Sequence, residues 1–326
     1  MLITRTPLRI SIGGGGTDLP SYYERRGGFF ISAAIDKYMF IAINRTFTDD
    51  YLIKYAELER VSSVDEIDHR IVRTVLKEQE MGPGLEVVST ADIPAGAGLG
   101  SSGAFTVGLL RAIYAIKREH VSPSALAEEA ARIEIDVLGE PVGKQDQYIA
   151  AFGGLTCFEI EKDGHVNVSP LAVSNETLHE LEERLLLFFT GYSRSAGEIL
   201  ADQHERSEAD EAEMLENLDR TKELGREIRK VLEAGEAERF GELMHEHWER
   251  KRSRSKGISN EDIDRWYEKA IQNGAIGGKL VGAGRGGFLM FYASDPPALR
   301  EAMAAEGLKE TRFSFDFDGS SVIVRD

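Results

Sequence analysis

The chain has 326 residues, a formal net charge of −17 and 42% hydrophobic residues. This length predicts roughly two domains, and the composition is that of an ordinary water-soluble globular protein. The strong negative charge argues against nucleic acid or an anionic membrane as a partner. No apolar run reaches the about 18 residues of a membrane span, and the first residues lack a signal-peptide pattern. The single cysteine, Cys157, excludes an internal disulfide, so we expect a cytoplasmic protein.

The first half of the chain alternates between strand-like and helix-like patterns. Residue types and apolar spacing predict strands at 2–12, 28–35, 38–45, 51–55 and 85–90, helices at 63–80, 104–117 and 123–138, and a hairpin of strands at 153–160 and 166–171. Together these elements would form a first domain, residues 1–180.

A second domain, residues 181–326, is predicted to open with a buried strand. Its elements are predicted as strands at 185–190, 276–281, 287–293, 310–317 and 320–325 and helices at 204–234, 236–253, 260–273 and 296–306. His245 and His247 resemble a metal-binding pair, but residues two apart point to different sides of a helix. We therefore interpret both histidines as surface residues.

The most informative stretch, residues 92–105, joins a predicted strand to a predicted helix through a glycine-rich turn. The alternate glycines of Gly96–Gly100 let the backbone approach a ligand closely, because no Cβ stands in the way. Ser101 and Ser102 stand at the helix start, where backbone N–H groups and the helix dipole suit a phosphate. The alternative is a plain glycine turn with a serine cap. The density of glycine favours a nucleotide site.

Two familiar phosphate-binding motifs, the dinucleotide-binding motif and the P-loop, are excluded by the residues and elements around the glycines. Gly98–Gly103 and Gly282–Gly287 both fit G-x-G-x-x-G. The first is followed by two helices instead of a strand that ends in an acid, and the second leads into a strand instead of a helix. A P-loop needs Gly-Lys before Ser or Thr, whereas Lys144 precedes Gln145 and Lys279 precedes Leu280. The nucleotide site is therefore of another type.

Three glycine-rich segments resemble the three motifs of the GHMP kinases, the superfamily of galactokinase, homoserine kinase, mevalonate kinase and phosphomevalonate kinase. The segments are Pro7–Asp18, Pro94–Gly103 and Lys279–Gly287, in the family's order and from the start, middle and end of the chain. The resemblance implies an α+β fold of two domains, the first like ribosomal protein S5 and the second ferredoxin-like. It also implies that ATP and Mg²⁺ bind between the domains.

The resemblance further implies which residues bind the nucleotide and the metal. The ATP phosphates would lie against the second motif, at Pro94, Gly96, Ala97, Gly98, Leu99, Gly100, Ser101 and Ser102. Ser102 and Glu134 would hold Mg²⁺, which prefers oxygen ligands. The spacing between Glu134 and Asp146 matches that between the magnesium-binding Glu and catalytic Asp of galactokinases. The alternative for Glu134 is an ordinary exposed helix glutamate.

Asp146 and Arg9 match the catalytic Asp of galactokinases and the arginine beside it. Asp146 would orient the attacking hydroxyl or accept its proton, and Arg9 would favour the Asp146 anion and offset charge on the transferred group. The alternative is a structural ion pair. The substrate would contact the first and third motifs, at Gly15, Gly16, Thr17, Asp18, Gly284, Arg285 and Gly286.

Local differences from galactokinases favour a phosphorylated sugar. The glycine run 13–16 replaces acidic and imidazole side chains, and Arg285 adds a cation to the third motif. Within the superfamily, segments 13–20, 143–148 and 257–260 most resemble the D-glycero-D-manno-heptose 7-phosphate 1-kinases. The substrate's remote phosphate would then meet a basic side chain, with Arg194, Lys256 and Arg285 as candidates.

Two alternatives stay open at this point. The substrate could be an unphosphorylated sugar of the galactose, fucose or N-acetylhexosamine type. The chain could also be a non-catalytic sugar or nucleotide sensor on the same scaffold, although Arg9, Ser102, Glu134 and Asp146 together favour an enzyme.

Overall fold

The structure is a computed structural model that describes residues 1–191, 197–208, 211–254, 257–284 and 286–325. Two β-sheets are covered by helices. The strands of the described residues are β1 (Leu2–Gly13), β2 (Gly28–Arg45), β3 (Tyr51–Lys54), β4 (Leu58–Val61), β5 (Leu85–Ala91), β6 (Leu155–Ile160), β7 (Val166–Pro170), β8 (Leu185–Phe189), β9 (Ala275–Leu280), β10 (Phe288–Ala293), β11 (Lys309–Glu310) and β12 (Ser321–Arg325).

The α-helices of the same residues vary in length from 7 residues in the shortest, about two turns, to 22 residues in the longest, about six turns. They are α1 (Pro20–Arg26), α2 (Arg70–Glu78), α3 (Ser101–Lys117), α4 (Pro123–Arg132), α5 (Gln145–Phe152), α6 (Asn175–Arg184), α7 (Gly197–Glu208), α8 (Ala212–Glu233), α9 (Ala237–Arg254), α10 (Glu261–Gln272) and α11 (Pro296–Ala305). A 3₁₀ turn occupies Val64–Glu66, and a π-helical turn, Ile133–Val137, continues α4. No described helix is long and apolar enough to cross a bilayer.

The long strand β2 lies at the centre of the larger, eight-stranded sheet. On one side it pairs with β1, and on the other its first half pairs with β6 and its second half with β5, all antiparallel. The register between β1 and β2 shifts between Pro7 and Leu8, because Asp36 and Lys37 of β2 are inserted between the partners Ile35 and Tyr38. Proline lacks the N–H that a regular ladder requires, so a bulge at this point is expected. The two strands predicted at 28–35 and 38–45 are thus one strand with a bulge.

Helix α3 packs against β1 and β2 and is apolar on nearly all sides. A helix of this composition is stable only when it is buried. Gly108 permits the close approach, because a Cβ there would lie 2.8 Å from Thr6 Oγ1 and 3.4 Å from the Ile41 side chain. The hydroxyl of Thr4 donates to the Gly108 carbonyl at 2.9 Å and binds the helix to the sheet.

The smaller sheet has the order β11-β8-β10-β9 and a core of its own, which includes Trp248, Trp266 and Phe291. Helix α9 packs on β9, while its neighbour α8 packs on β1 and β2 of the larger sheet. The α8–α9 pair therefore joins the two sheets. The last strand, β12, pairs with β1 in the larger sheet. The domain boundary near residue 180 stays a prediction.

Three further predicted elements differ from the structure. The helix predicted at 63–80 begins only at Arg70, because His69 caps it by accepting from Val72 N–H, and β4 precedes it. The helix predicted from 204 to 234 is two helices, α7 and α8. The strand predicted at 310–317 is confined to Lys309–Glu310, after which only Phe315 forms a single bridge, to Ile35.

The contact at Gly108 yields a test of the fold. Gly108→Ala should lower the free energy of unfolding by about 1–3 kcal/mol because the added methyl overpacks the helix–sheet contact. Alanine ordinarily stabilises a helix interior by about 1 kcal/mol relative to glycine. The sign of the change in unfolding free energy therefore separates overpacking from the ordinary helix preference. Equilibrium urea denaturation measures it. The control is Gly82→Ala, whose methyl meets no atom of the described residues within 4 Å. A more stable Gly108→Ala protein would contradict the packing described.

Candidate active site

Arg9, in the middle of β1, connects three separate segments. Its Nε donates to Asp146 Oδ1 at 2.7 Å, and its Nη1 donates to the Gly98 carbonyl at 2.6 Å. Its backbone N–H donates to the Leu99 carbonyl at 3.0 Å. The guanidinium is buried, whereas the Asp146 side chain keeps 29% exposure. The predicted pair therefore forms, and its carboxylate is accessible to a ligand.

Asp146 lies in the first turn of α5, next to the start of α3. A Cβ at Gly103 would lie 2.7 Å from Asp146 Cβ, and one at Gly100 would lie 3.1 Å from both Asp146 Cγ and Arg9 Cγ. Any side chain at either position would displace the carboxylate. These two glycines of the second motif thus determine where Asp146 stands.

Glu134 and Ser102 also come together, on another side of α5. The hydroxyl of Ser102 donates to Glu134 Oε2, and Gln147 Nε2 donates to Glu134 Oε1 at 3.0 Å. Glu134 is only 1% exposed, and loss of water contact raises its pKa. It lies in the π-helical turn, a local feature that frequently marks functional sites. The alternative of an exposed glutamate is excluded by this burial.

The donor set around Glu134 suits a hard cation. Within the described part of the chain, Glu134 forms no ion pair, and the buried Gln147 Oε1 has no hydrogen-bond partner. A buried carboxylate without a counter-charge is costly, and a cation would compensate it. No group of three His, Cys, Asp or Glu side chains that could hold a metal occurs among the described residues. A magnesium ion with few protein ligands fits, since it usually keeps several waters.

The second motif forms an open loop in front of α3. Gly96, Gly98 and Gly100 all have positive φ, between 75° and 81°, which favours glycine. No side chain of the described residues caps the helix after them, so Ser101 and Ser102 occupy a helix start without a side-chain cap in this part of the chain. Pro94 and Gly96 are exposed, and Ala97 and Leu99 are buried. Backbone N–H groups of this loop are therefore available to an anion.

The second and third motifs touch through their backbones. A Cβ at Gly98 would lie 2.7 Å from the Val281 carbonyl oxygen, and one at Gly282 would lie 2.6 Å from Gly98 Cα. A Cβ at Gly287 would lie 2.3 Å from the Ala97 carbonyl oxygen. Glycine is required at all three positions, because the two loops are in direct contact.

The first motif turns tightly before α1. Thr17 is fully buried, and its hydroxyl donates to the Gly14 and Phe29 carbonyls, each at 2.8 Å. Its side chain thus stabilises the turn and does not line the cavity described below. Asp18 does line that cavity; its two oxygens accept the N–H groups of Gly16 at 2.9 Å and Gln145 at 3.1 Å. Burial raises the pKa of Asp18.

A cavity extends from Asp146 past Asp18, between β1, α5, α9 and β9. Gly15 and Gly16 line it, and Val281, Gly282 and Ala283 contribute from the third motif. Gly284 and Gly286 lie further along that loop, outside the described lining. The charged residues of the lining are Arg9, Asp18, Asp146, Lys251, Arg254 and Lys279.

Sequence reasoning missed three cations on one side of this cavity. Lys251 and Arg254 come from α9, and Lys279 comes from β9. The interpretation of His247 as a surface residue is wrong: it is 3% exposed and lines the cavity, whereas His245 is exposed and bonds Tyr267. The signal was present, since His247, Lys251 and Arg254 recur at i, i+4 and i+7, on one helix face.

The three cations that were predicted to meet a substrate phosphate have no described position. Arg194, Lys256 and Arg285 all lie outside the described residues. Their assignments stay predictions.

Two family models match the chain in order. The model of the GHMP kinases N terminal domain matches residues 69–154, and that of the GHMP kinases C terminal matches residues 227–309. A curated relative, the D-glycero-alpha-D-manno-heptose 7-phosphate kinase of Campylobacter jejuni, is 30% identical, and the alignment covers 97% of each chain.

Solved structures show the same fold. A crystal structure described as a D-glycero-D-manno-heptose 1-phosphate kinase from Bacteriodes thetaiotaomicron has a TM-score of 0.79 at 24% identity, over 100% of both chains. Lactococcus lactis galactokinase complexed with galactose has a TM-score of 0.76 at 18% identity, over 98% of this chain and 94% of its own. The predicted two-domain kinase fold is confirmed. With both family models matched and a relative aligned along nearly its whole length, this chain belongs to the GHMP kinase family.

Proposed function

We propose that this ATP-dependent phosphotransferase is a sugar 1-kinase that acts on D-glycero-D-manno-heptose 7-phosphate. It would transfer the terminal phosphoryl group of ATP to the anomeric hydroxyl and release ADP and the 1,7-bisphosphate. The observation that carries the proposal is the closeness of the Arg9–Asp146 pair, Asp18 and the open second-motif loop. The heptose 7-phosphate kinase relative, aligned along nearly the whole chain, supports the substrate class.

Asp146 is the residue that acts on the sugar hydroxyl. Its carboxylate orients the anomeric hydroxyl in line with the phosphoryl group and accepts the proton as the new O–P bond forms. Arg9 donates hydrogen bonds to that carboxylate and holds it in one orientation. Because the guanidinium is always charged, it also offsets negative charge on the transferred group.

Asp18 is positioned to bind sugar ring hydroxyls. Its two oxygens each accept one backbone N–H, and a carboxylate oxygen can accept a second hydrogen bond. The backbone bonds also prevent the side chain from rotating. Asp18 and Asp146 line the same cavity, so one sugar can contact both.

Ser102 and Glu134 are the residues that would hold Mg²⁺. Gln147, next to Asp146 in α5, fixes one Glu134 oxygen and so links the metal side of the helix to the reacting side. When bound, Mg²⁺ would neutralise charge on the β- and γ-phosphates. The uncapped start of α3 and the second-motif backbone would bind the same phosphates through N–H groups.

The role of Asp146 is tested by Asp146→Asn, which keeps the size of the side chain and removes its charge. Turnover should fall by roughly 10²–10⁴, with ATP affinity little changed. Asp163→Asn, an exposed hairpin carboxylate outside the cavity, is the control. Turnover near that of the unsubstituted protein would refute the assignment.

The metal site is tested by the magnesium dependence of activity. Glu134→Gln and Ser102→Ala should each raise the magnesium concentration for half-maximal activity by about tenfold or more. Asp136→Asn, an exposed carboxylate in the same π-helical turn, should leave that concentration unchanged. An unaltered magnesium requirement in both test variants would exclude the pair as ligands.

The substrate is tested with specificity constants for galactose, fucose, mannose, the heptose and heptose 7-phosphate, read by ADP release. Heptose 7-phosphate should have the highest value, because each charge-assisted hydrogen bond to its phosphate contributes about 1.5–3 kcal/mol. If an unphosphorylated sugar has the highest specificity constant, the protein is a kinase of that sugar. If the protein forms ADP from ATP with none of these sugars, the alternative of a non-catalytic sensor stands.

A further inference from the structure

One wall of the cavity concentrates positive charge in a strongly acidic protein. His247, Lys251 and Arg254 project from one face of α9, and Lys279 on β9 faces them. Lys279 Nζ lies 3.5 Å from His247 Nδ1 and donates to the Ile12 carbonyl at 3.0 Å. These four residues are called the cationic wall below.

No described residue forms an ion pair with the cationic wall, although Asp18 in the same cavity partly opposes the lowering of the Arg254 pKa by burial. Among the described residues, neither Lys251, Arg254 nor Lys279 forms an ion pair. Arg254, 6% exposed, donates to three uncharged partners in the described part of the chain, Asn217, Gln203 and Thr221. Both lysines donate to backbone carbonyls. Two buried cations, Arg254 and Lys279, and a partly buried one, Lys251, are costly when held by neutral acceptors, and an anion would stabilise the set.

The buried wall also contains an unused polar atom. His247 Nε2 is buried and has no hydrogen-bond partner in the described part of the chain. A ring nitrogen left unpaired in a cavity wall is unfavourable by itself, and a ligand oxygen would satisfy it. His247 therefore points to the same conclusion as the three cations.

We propose that the cationic wall is the subsite for the phosphate that the sugar already carries, the one that is not transferred. The inference rests on the proposed function and deepens it, because it names the residues that select a sugar phosphate over a free sugar. A dianionic phosphate would supply the negative charge for Lys279 and Arg254 and an acceptor oxygen for His247 Nε2. Arg254 supplies a planar fork of donors, and the lysines supply point charges.

The neighbours of the wall favour the sugar over the nucleotide. The described cavity lining includes Gly15, Gly16 and Asp18 of the first motif but no residue of the loop 94–102. Ser102 and Glu134 likewise lie outside that lining. The wall thus faces the proposed sugar, and Asp146 stands between it and the proposed ATP loop.

Gly16 makes room for the wall. A Cβ at Gly16 would lie 2.6 Å from Arg254 Nη1 and 3.0 Å from Gln203 Nε2. A larger side chain at this position would displace the Arg254 guanidinium. The glycine run and the buried arginine are therefore parts of one arrangement.

Binding of a phosphate should change the protonation of the wall. Burial first, and Arg9 and Arg254 second, lower the pKa of Lys279 from 10.5 to about 7. Burial likewise lowers the pKa values of Lys251 and His247, and it lowers the pKa of Arg254 from 12.5 to about 10. The other titratable groups of the cavity are Arg9, Asp18 and Asp146. A bound dianion favours the charged lysine, so its pKa rises and a proton is taken up.

The experiment measures binding and specificity in Lys279→Met, Arg254→Met and the control Lys222→Met. Lys222 is a partly buried lysine of α8 that donates to the Arg26 and Gly27 carbonyls and does not line the cavity. Affinities for heptose 7-phosphate, the free heptose and a non-hydrolysable ATP analogue are obtained by calorimetry. Thermal unfolding confirms that each variant is folded.

The expected result is a loss of selectivity. The preference of the unsubstituted protein for heptose 7-phosphate over the heptose should fall about 10- to 100-fold in both cavity variants and stay unchanged in Lys222→Met. At pH 8, titrations in buffers of different ionisation enthalpy should show proton uptake with heptose 7-phosphate. Lys279→Met should reduce that uptake. At this pH the sugar phosphate is already a dianion, so its own titration adds nothing.

Three results would overturn the inference, and they are distinguishable. If both folded cavity variants keep the full preference, the wall is not the phosphate subsite, while the proposed function survives. If they lose affinity for the ATP analogue and keep the preference, the wall serves the nucleotide. If the unsubstituted protein itself shows no preference for the phosphorylated sugar, the proposed substrate fails together with the subsite.

Discussion

The hydrogen bonds of one buried arginine organise the candidate site. Arg9 contacts the Gly98 carbonyl, the Leu99 carbonyl and Asp146, so β1, the second-motif loop and α5 are held in one arrangement. A lysine could not replace it, because only the guanidinium offers several donors in a fixed plane. The loop that is proposed to bind phosphate and the carboxylate that is proposed to act on the sugar therefore share one support.

Glycine determines how closely the parts of the site approach. Gly100 and Gly103 leave room for Asp146, while Gly98 and Gly282 let two loops from opposite ends of the chain touch. The same constraint operates beside Arg254, where only Gly16 leaves space for the guanidinium. Because a single methyl at any of these positions would meet atoms at about 3 Å or less, the glycines of the three motifs are packing residues as well as flexible ones.

Electrostatics divide the site into two regions. Around Glu134, a buried carboxylate is surrounded by neutral donors, which suits a cation. Around Lys279, buried cations are surrounded by neutral acceptors, which suits an anion. Both regions carry charge that folding alone does not compensate, and such uncompensated charge is typical of ligand sites. Asp146 lies between the two regions, and its carboxylate remains accessible although its partner Arg9 is buried.

The sequence by itself determined the family and the two-domain kinase fold, because three glycine-rich motifs, which are local properties of a chain, resemble those of the GHMP kinases. The same resemblance implied that Arg9 pairs with Asp146 and that Ser102 pairs with Glu134. It also predicted helices such as α3 and α10 to within a few residues, since capping and apolar spacing are local too. Only the tertiary structure decided that His247 is buried, that Thr17 stabilises a turn, and that β12 returns to the first sheet. Only it brought α9 and β9 together around Lys279. The spacing of His247, Lys251 and Arg254 places them on one face of α9, but burial depends on contacts between distant segments, so the spacing does not say which part of the chain covers that face.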